Sequence, residues 1–125
     1  MATILLVEDD EPSRDMLARR LTRAGFQVIV AMDGAQAVAL AHALRPNLIV
    51  MDLSLPVLDG WEATRQLKAT LATRTIPVLV LTAHVFAEDH TAALAAGANA
   101  FAAKPVDWRA LVRQINDLLA ACESF

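Results

Sequence analysis

"NLIVMDLSLP", residues 47–56, runs four strand-forming apolar residues, Leu48 to Met51, into a carboxylate, Asp52, and then into a proline-containing loop. An apolar run without polar alternation marks a strand covered on both faces, as in a parallel sheet packed between helices. An acid at the end of such a strand leaves a charge at the rim of a low-dielectric core, which is costly unless something there uses it. The rest of the chain repeats the pattern. Short β-rich runs at 3–7 (TILLV), 27–31 (QVIVA), 76–81 (IPVLVL) and 100–103 (AFAA) alternate with helical patterns over roughly 12–24, 34–44, 60–72, 87–96 and 107–122. Alternating strands and helices predict βα units joined by right-handed crossovers. The expected fold is a doubly wound five-stranded parallel α/β sheet with five helices.

The punctuation agrees with these boundaries. All four glycines and all five prolines fall at element edges. Gly25 and Gly97 stand where a helix ends in the left-handed region, Pro12 suits a first helical turn, and Asp107 can cap the last helix. In that helix Trp108, Leu111, Val112, Ile115, Leu118, Leu119 and Cys122 form one stripe, read as core. Asp33 and Asp59, each followed by glycine, read as turn residues, and Asp10 and Glu11 as first-turn acids favoured by the helix dipole.

At 125 residues the chain is expected to be one domain, 1–125, with a core large enough to dispense with disulfides. The formal net charge of -3 supplies no general basic field for nucleic acid. A single cysteine, no apolar run of membrane-spanning length and no signal-peptide pattern in "MATILLVEDD" fit a cytoplasmic protein with no membrane partner.

In a doubly wound sheet, ligands bind beyond the carboxyl ends of the strands. Those ends here are Glu8, Asp9 and Asp10 after the first strand, Asp52 after the third, Thr82 after the fourth and Lys104 after the fifth. Carboxylates converging on one rim repel by about 4 kcal/mol per pair at about 4 Å and an effective dielectric of about 20. A cation must balance them, and all-oxygen donors select a hard ion, Mg²⁺ in preference to Ca²⁺. Metal, ammonium and hydroxyl beside a carboxylate suit phosphoryl chemistry with Asp52 as nucleophile, giving a reactive aspartyl phosphate that serves as a reversible mark.

At this point the sequence resembles the receiver domains of two-component response regulators, through "LLVEDDEPSR" (5–14), "LIVMDLSLPVLDG" (48–60), "VLVLTA" (78–83) and "AGANAFAAKP" (96–105). The resemblance runs from Ile4 to about Leu119. It implies the flavodoxin-like strand order 2-1-3-4-5. It also implies Asp52 as the acceptor of a phosphoryl group from a histidine kinase or histidine phosphotransfer protein. Carried over position by position, Asp9 resembles a direct Mg²⁺ ligand, Glu8 a ligand through water, and Ser54 a donor of its backbone carbonyl. Lys104, before a cis Pro105, resembles the residue that pairs with the phosphoryl oxygens. Thr82 and Phe101 resemble the switch pair, whose movement reshapes the surface of the fourth helix, fifth strand and fifth helix. Phe101 replaces a frequent tyrosine, and Ser54 and His84 occupy positions that tune hydrolysis of the acyl phosphate. Docking of the donor is expected on the first helix and the loop after the fifth strand, at Asp10, Ser13, Met16, Pro105 and Val106.

The expectation is a phosphorelay switch that is not an enzyme and takes part only in its own phosphotransfer and autodephosphorylation. It is a single-domain regulator acting through a downstream protein target, or alternatively a receiver excised from a hybrid histidine kinase. A phosphatase with an aspartyl nucleophile is the reading from another class; Ser54 stands where such an enzyme places its general acid. His42, His84 and His90 show no zinc-ligand spacing.

Overall fold

The computed structural model describes residues 1–53, 55–82 and 95–123. Its elements are β1 (Thr3–Val7), α1 (Glu11–Arg23), β2 (Gln27–Ala31), α2 (Gly34–Leu44), β3 (Leu48–Asp52), α3 (Gly60–Ala69), β4 (Val78–Thr82), β5 (Ala100–Ala103) and α4 (Trp108–Glu123). The five strands form one parallel sheet in the order β2-β1-β3-β4-β5. The doubly wound order expected from the sequence is therefore the order observed. Of the helix expected over 87–96, only Ala95 and Ala96 are among the described residues, and both are helical. Ser54, His84 and His90, and the side chain of Cys122, fall outside them too. Among the described residues, no helix is long and apolar enough to cross a membrane.

Strand pleat divides the core into two layers, because successive side chains point to opposite faces. Leu5, Val7, Ile49, Met51, Val78 and Val80 face one layer, closed by α2 and α3 through the small residues Ala37, Ala41 and Ala63. Ile4, Leu6, Leu48, Val50, Leu79 and Leu81 face the other, closed by Leu17 and Leu21 of α1 and Leu111 and Ile115 of α4. Each fully buried Leu or Ile contributes roughly 2 kcal/mol of transfer free energy. The sheet is thus fixed on both sides, and its ends are where variation is tolerated.

Boundaries differ from the sequence pattern in three elements, β3, β4 and α3. β3 extends one residue further, so that Asp52 is the last residue of the strand, and β4 begins only after Pro77, which has no N–H to donate to a ladder. α3 stops at Ala69 instead of running to 72. Beyond it, Thr73 turns its hydroxyl back onto the carbonyl of Leu67, at 2.7 Å, offering the backbone an alternative to another helical turn. Gly25 and Gly97 adopt φ of +102° and +101°, the left-handed conformation expected of them.

Candidate functional site

Register builds the site. Val7 pairs with Met51 across β1 and β3, so the next residues, Glu8 and Asp52, emerge side by side. Asp52 pairs with Leu81 across β3 and β4, which puts Thr82 one step beyond the acid. Thr82 pairs with Ala103 across β4 and β5, and the backbone N–H of Lys104 donates to the carbonyl of Thr82 at 2.9 Å. Four strand ends thereby present an acid pair, a carboxylate, a hydroxyl and an ammonium along one rim.

Glu8 and Asp52 are buried, 2% and 5% exposed, and so is Thr82, whereas Asp9 is exposed. The Nζ of Lys104 lies 3.2 Å from Asp52 Oδ1 and 3.6 Å from Glu8 Oε2. One ligand oxygen from each of Glu8, Asp9 and Asp52 falls within 4.8 Å of the others. Glu8 Oε2 is buried without a hydrogen-bond partner, and buried carboxylate oxygens without donors are uncommon in folded proteins. Burial, then the hydrogen bond and the like charge of Asp52, push the Glu8 carboxyl up to about 8, against the opposing pull of Lys104. A single ammonium does not complete this cluster. Three hard oxygen donors around an orphaned buried oxygen fit a small divalent cation, whose arrival would displace the proton from Glu8.

Two features keep the cluster in place. The guanidinium of Arg14 donates from Nη1 to the carbonyls of Glu8, at 3.2 Å, and Asp9, at 3.4 Å, tying the loop after β1 to the first helix. Arg14 enters the sequence analysis only as the last residue of the 5–14 motif, and no spacing in the chain marks it as a clamp on two carbonyls. Gly60 begins α3 close against the end of β3, where a Cβ would overlap the carbonyl of Asp52. Only glycine lets that helix approach so closely.

The remaining candidates sort by position. Asp10 stands apart from the cluster and caps α1, accepting from Ser13 N–H at 3.1 Å; hydrogen bonding by the Ser13 side chain, and then by this N–H, holds its carboxyl below the usual carboxylate range. Phe101 is half-buried against the α2–α3 layer, and its carbonyl accepts from the side chain of Gln114 at 3.1 Å. The Lys104–Pro105 peptide is cis. Ser13, Met16, Leu17, Lys104, Pro105, Val106 and Trp108 line a groove of about 370 Å³ beside the site.

Comparison with known proteins gives one consistent answer. Residues 4–116 match the family model described as the response regulator receiver domain. The chain is 38% identical over 120 residues to protein PilH of Pseudomonas aeruginosa PAO1, covering 96% of this chain and 99% of PilH. It is 39% identical over 116 residues to the response regulator MprA of Mycolicibacterium vanbaalenii, covering 93% of this chain but spanning about half, 49%, of that protein. Among solved structures it is similar to the receiver domain of sensor histidine kinase PA1611 from P. aeruginosa PAO1, which has a magnesium ion coordinated in its active site cleft. The TM-score is 0.89 with 37% identity, covering 95% of this chain and 98% of that one. With the same sheet order, the same motif order and a family match over most of its length, this chain belongs to the response regulator receiver domains, modules of phosphorylation-based signalling.

Proposed function

We propose that this chain is a switch in which Asp52 accepts a phosphoryl group from the phosphohistidine of a histidine kinase or histidine phosphotransfer protein. The observation that carries the reading is the ammonium of Lys104 held 3.2 Å from the buried Asp52, beside the buried Glu8 and the exposed Asp9. A carboxylate oxygen of Asp52 forms the new O–P bond as the donor's N–P bond breaks, and the electron pair of that bond returns to the imidazole nitrogen. Lys104 takes up charge on the phosphoryl oxygens, and the Thr82 hydroxyl donates to one of them. Glu8, Asp9 and Asp52, with the backbone carbonyl of Ser54, would hold Mg²⁺, which when bound neutralises phosphoryl oxygens and relieves repulsion among the acids. The magnesium ion in the PA1611 receiver supports this assignment. Attack of water on phosphorus later restores the Asp52 carboxylate, so the mark is reversible without a separate active site.

Thr82 and Phe101 form the switch in this reading. The hydroxyl moves toward the phosphoryl group, and the half-buried ring follows into the α2–α3 layer, changing the surface around β5 and α4. Apolar burial alone drives the ring inward, since no phenol is present to anchor it. The donor approaches over the groove formed by Ser13, Met16, Pro105 and Val106, which opens beside Lys104. The domain spans residues 1–125, works in the cytoplasm and passes its state to a downstream protein. PilH, of which the chain covers 99%, supports a stand-alone regulator, and the kinase-borne receiver supports the alternative of a piece of a hybrid kinase.

The test is incubation with acetyl phosphate and Mg²⁺ followed by intact mass measurement. Wild type gains one phosphoryl group and Asp52→Asn gains none; equal labelling of both overturns the assignment.

A further inference from the structure

Glu8, Asp9, Asp10 and Glu11 run consecutively just before Arg14, yet among the described residues Arg14 ion-pairs with none of them. Its guanidinium donates from Nη1 to two backbone carbonyls instead, of Glu8 at 3.2 Å and of Asp9 at 3.4 Å. Neither helix electrostatics nor charge pairing accounts for this choice. Arg14 stands near the start of α1, where the positive end of the helix dipole disfavours a cation. An arginine beside carboxylates ordinarily forks onto one of them. At α3 that ordinary arrangement holds, with Arg65 bonded to Glu62 at 2.7 Å.

Geometry accounts for what charge does not. The two carbonyls belong to the peptide planes on either side of the Asp9 Cα, so a single nitrogen restrains both backbone dihedrals of Asp9. The flanking residues have restraints of their own. Glu8 N–H donates to the carbonyl of Ala31, at the end of β2, at 3.1 Å, and Asp10 is held as the cap of α1. Asp9 is the exposed member of the cluster, so packing does little to fix its side chain, and the backbone is what aims its carboxylate at Glu8 and Asp52. We propose that Arg14 is a positioning residue for divalent-cation binding: it locks the Asp9 backbone so that the carboxylate faces the cation, and keeps its own charge off that carboxylate. Arg14 supplies no ligand and acts through Asp9. This role rests on the reading of the three acids as a Mg²⁺ site.

A clamp and a bare charge predict opposite signs. Loss of a positive charge beside the site of a dication should tighten Mg²⁺ binding, whereas loss of the clamp should weaken it. Calorimetric titration of the full chain with Mg²⁺ separates the two. Arg14→Gln should weaken binding by about tenfold, as outer-shell partners of metal ligands do. Arg14→Lys keeps the charge without the fork and should weaken it at least as much, because the ammonium is free to pair with Asp9. In an Asp9→Asn background, Arg14→Gln should change affinity by less than about twofold, as expected of two residues acting as a unit. Hydrogen exchange in chelator supplies a metal-free readout: residues 8–10 should exchange faster in Arg14→Gln than in wild type, with α3 unchanged. Asp33→Ala, which removes the cap of α2, controls for lost stability alone and should bind Mg²⁺ as wild type does. Unchanged or tighter binding in Arg14→Gln, wild-type binding in Arg14→Lys, a full further loss on top of Asp9→Asn, unchanged exchange over 8–10, or an equal loss in Asp33→Ala would each overturn the proposal. Absence of saturable Mg²⁺ binding in the wild type is a separate failure, that of the Mg²⁺ site itself, and removes the role of Arg14 with it.

Discussion

Seven acids crowd the carboxyl end of this sheet, and they form two regions with opposite physics. Asp10, Asp33, Asp59 and Asp107 start helices, each accepting a backbone N–H three residues on, at 3.1, 2.7, 2.9 and 3.2 Å. Glu8, Asp9 and Asp52 face one another, with the ammonium of Lys104 3.2 Å from Asp52 and 3.6 Å from Glu8. Glu8 and Asp10 are two residues apart, yet the first is pushed up to about 8 and the second is pulled below its usual range. Donors satisfy the capping acids, and burial with the neighbouring Asp52 frustrates Glu8. A carboxylate with its hydrogen bonds made is structural; a buried carboxylate oxygen without a donor, as at Glu8, marks a place that calls for positive charge.

The largest consequence of that division is in pH dependence. Glu8 stands at about 8 in the folded chain against an ordinary 4.5, so folding takes up a proton between those values. Its contribution to stability is complete below about 4.5 and is lost as pH rises through about 8, a change of a few kcal/mol in the metal-free protein. Thermal melts in chelator should show Tm falling over that window for wild type, with the slope much reduced in Glu8→Gln. Asp10 has the reverse sign: its stabilisation is present above its ordinary 3.8 and is lost as pH falls further. If Glu8→Gln leaves the slope intact, the frustration assigned to the cluster is misplaced.

Next in size is the response to Mg²⁺. Asp9→Asn and Asp52→Asn should each weaken Mg²⁺ binding by tenfold or more, about 1.4 kcal/mol per decade, while Asp59→Asn stays near wild type. Isothermal calorimetry distinguishes the two groups directly. Affinity should also rise with pH, because the proton on Glu8 competes with the cation. A capping aspartate that mattered as much as Asp9 would erase the distinction between the regions.

Much of this was legible in the sequence because strand ends are strong signals. Uninterrupted apolar runs located the parallel sheet, and the acids, hydroxyl and lysine that follow those runs had to share a rim once the order was 2-1-3-4-5. The capping role of Asp107 was likewise visible from the start of a strong amphipathic stripe. What one dimension conceals is direction. The helix start set Asp10 apart as a first-turn acid, but nothing in "VEDDEPSR" tells that Glu8 turns inward while Asp9 stays exposed, since that depends on where β1 ends and α1 begins. Nor does Arg14 announce that it reaches back across the loop to two carbonyls.

The smallest expected effect tests the capping region on its own terms. Asp33 accepts from Gln36 N–H at 2.7 Å, and the side chain of Gln36 reaches back to accept from Met32 N–H, also at 2.7 Å. These reciprocal bonds satisfy one donor of the first turn of α2, Gln36 N–H, and one just before the cap, Met32 N–H. Asp33→Ala should therefore cost about 1 kcal/mol, read as a lower midpoint in urea with an unchanged slope. Because Gly34 packs against the carbonyl of Leu58, in the loop that leads from Asp52 to α3, the cap sits within reach of the site without belonging to it. Labelling of Asp52→Asn and Asp33→Ala side by side makes the contrast sharp: the first should lose the phosphoryl group and keep its fold, the second should lose stability and keep the phosphoryl group. Any large loss of labelling in Asp33→Ala at a temperature where it remains folded would mean that a helix start, and not the buried cluster alone, sets the chemistry of this rim.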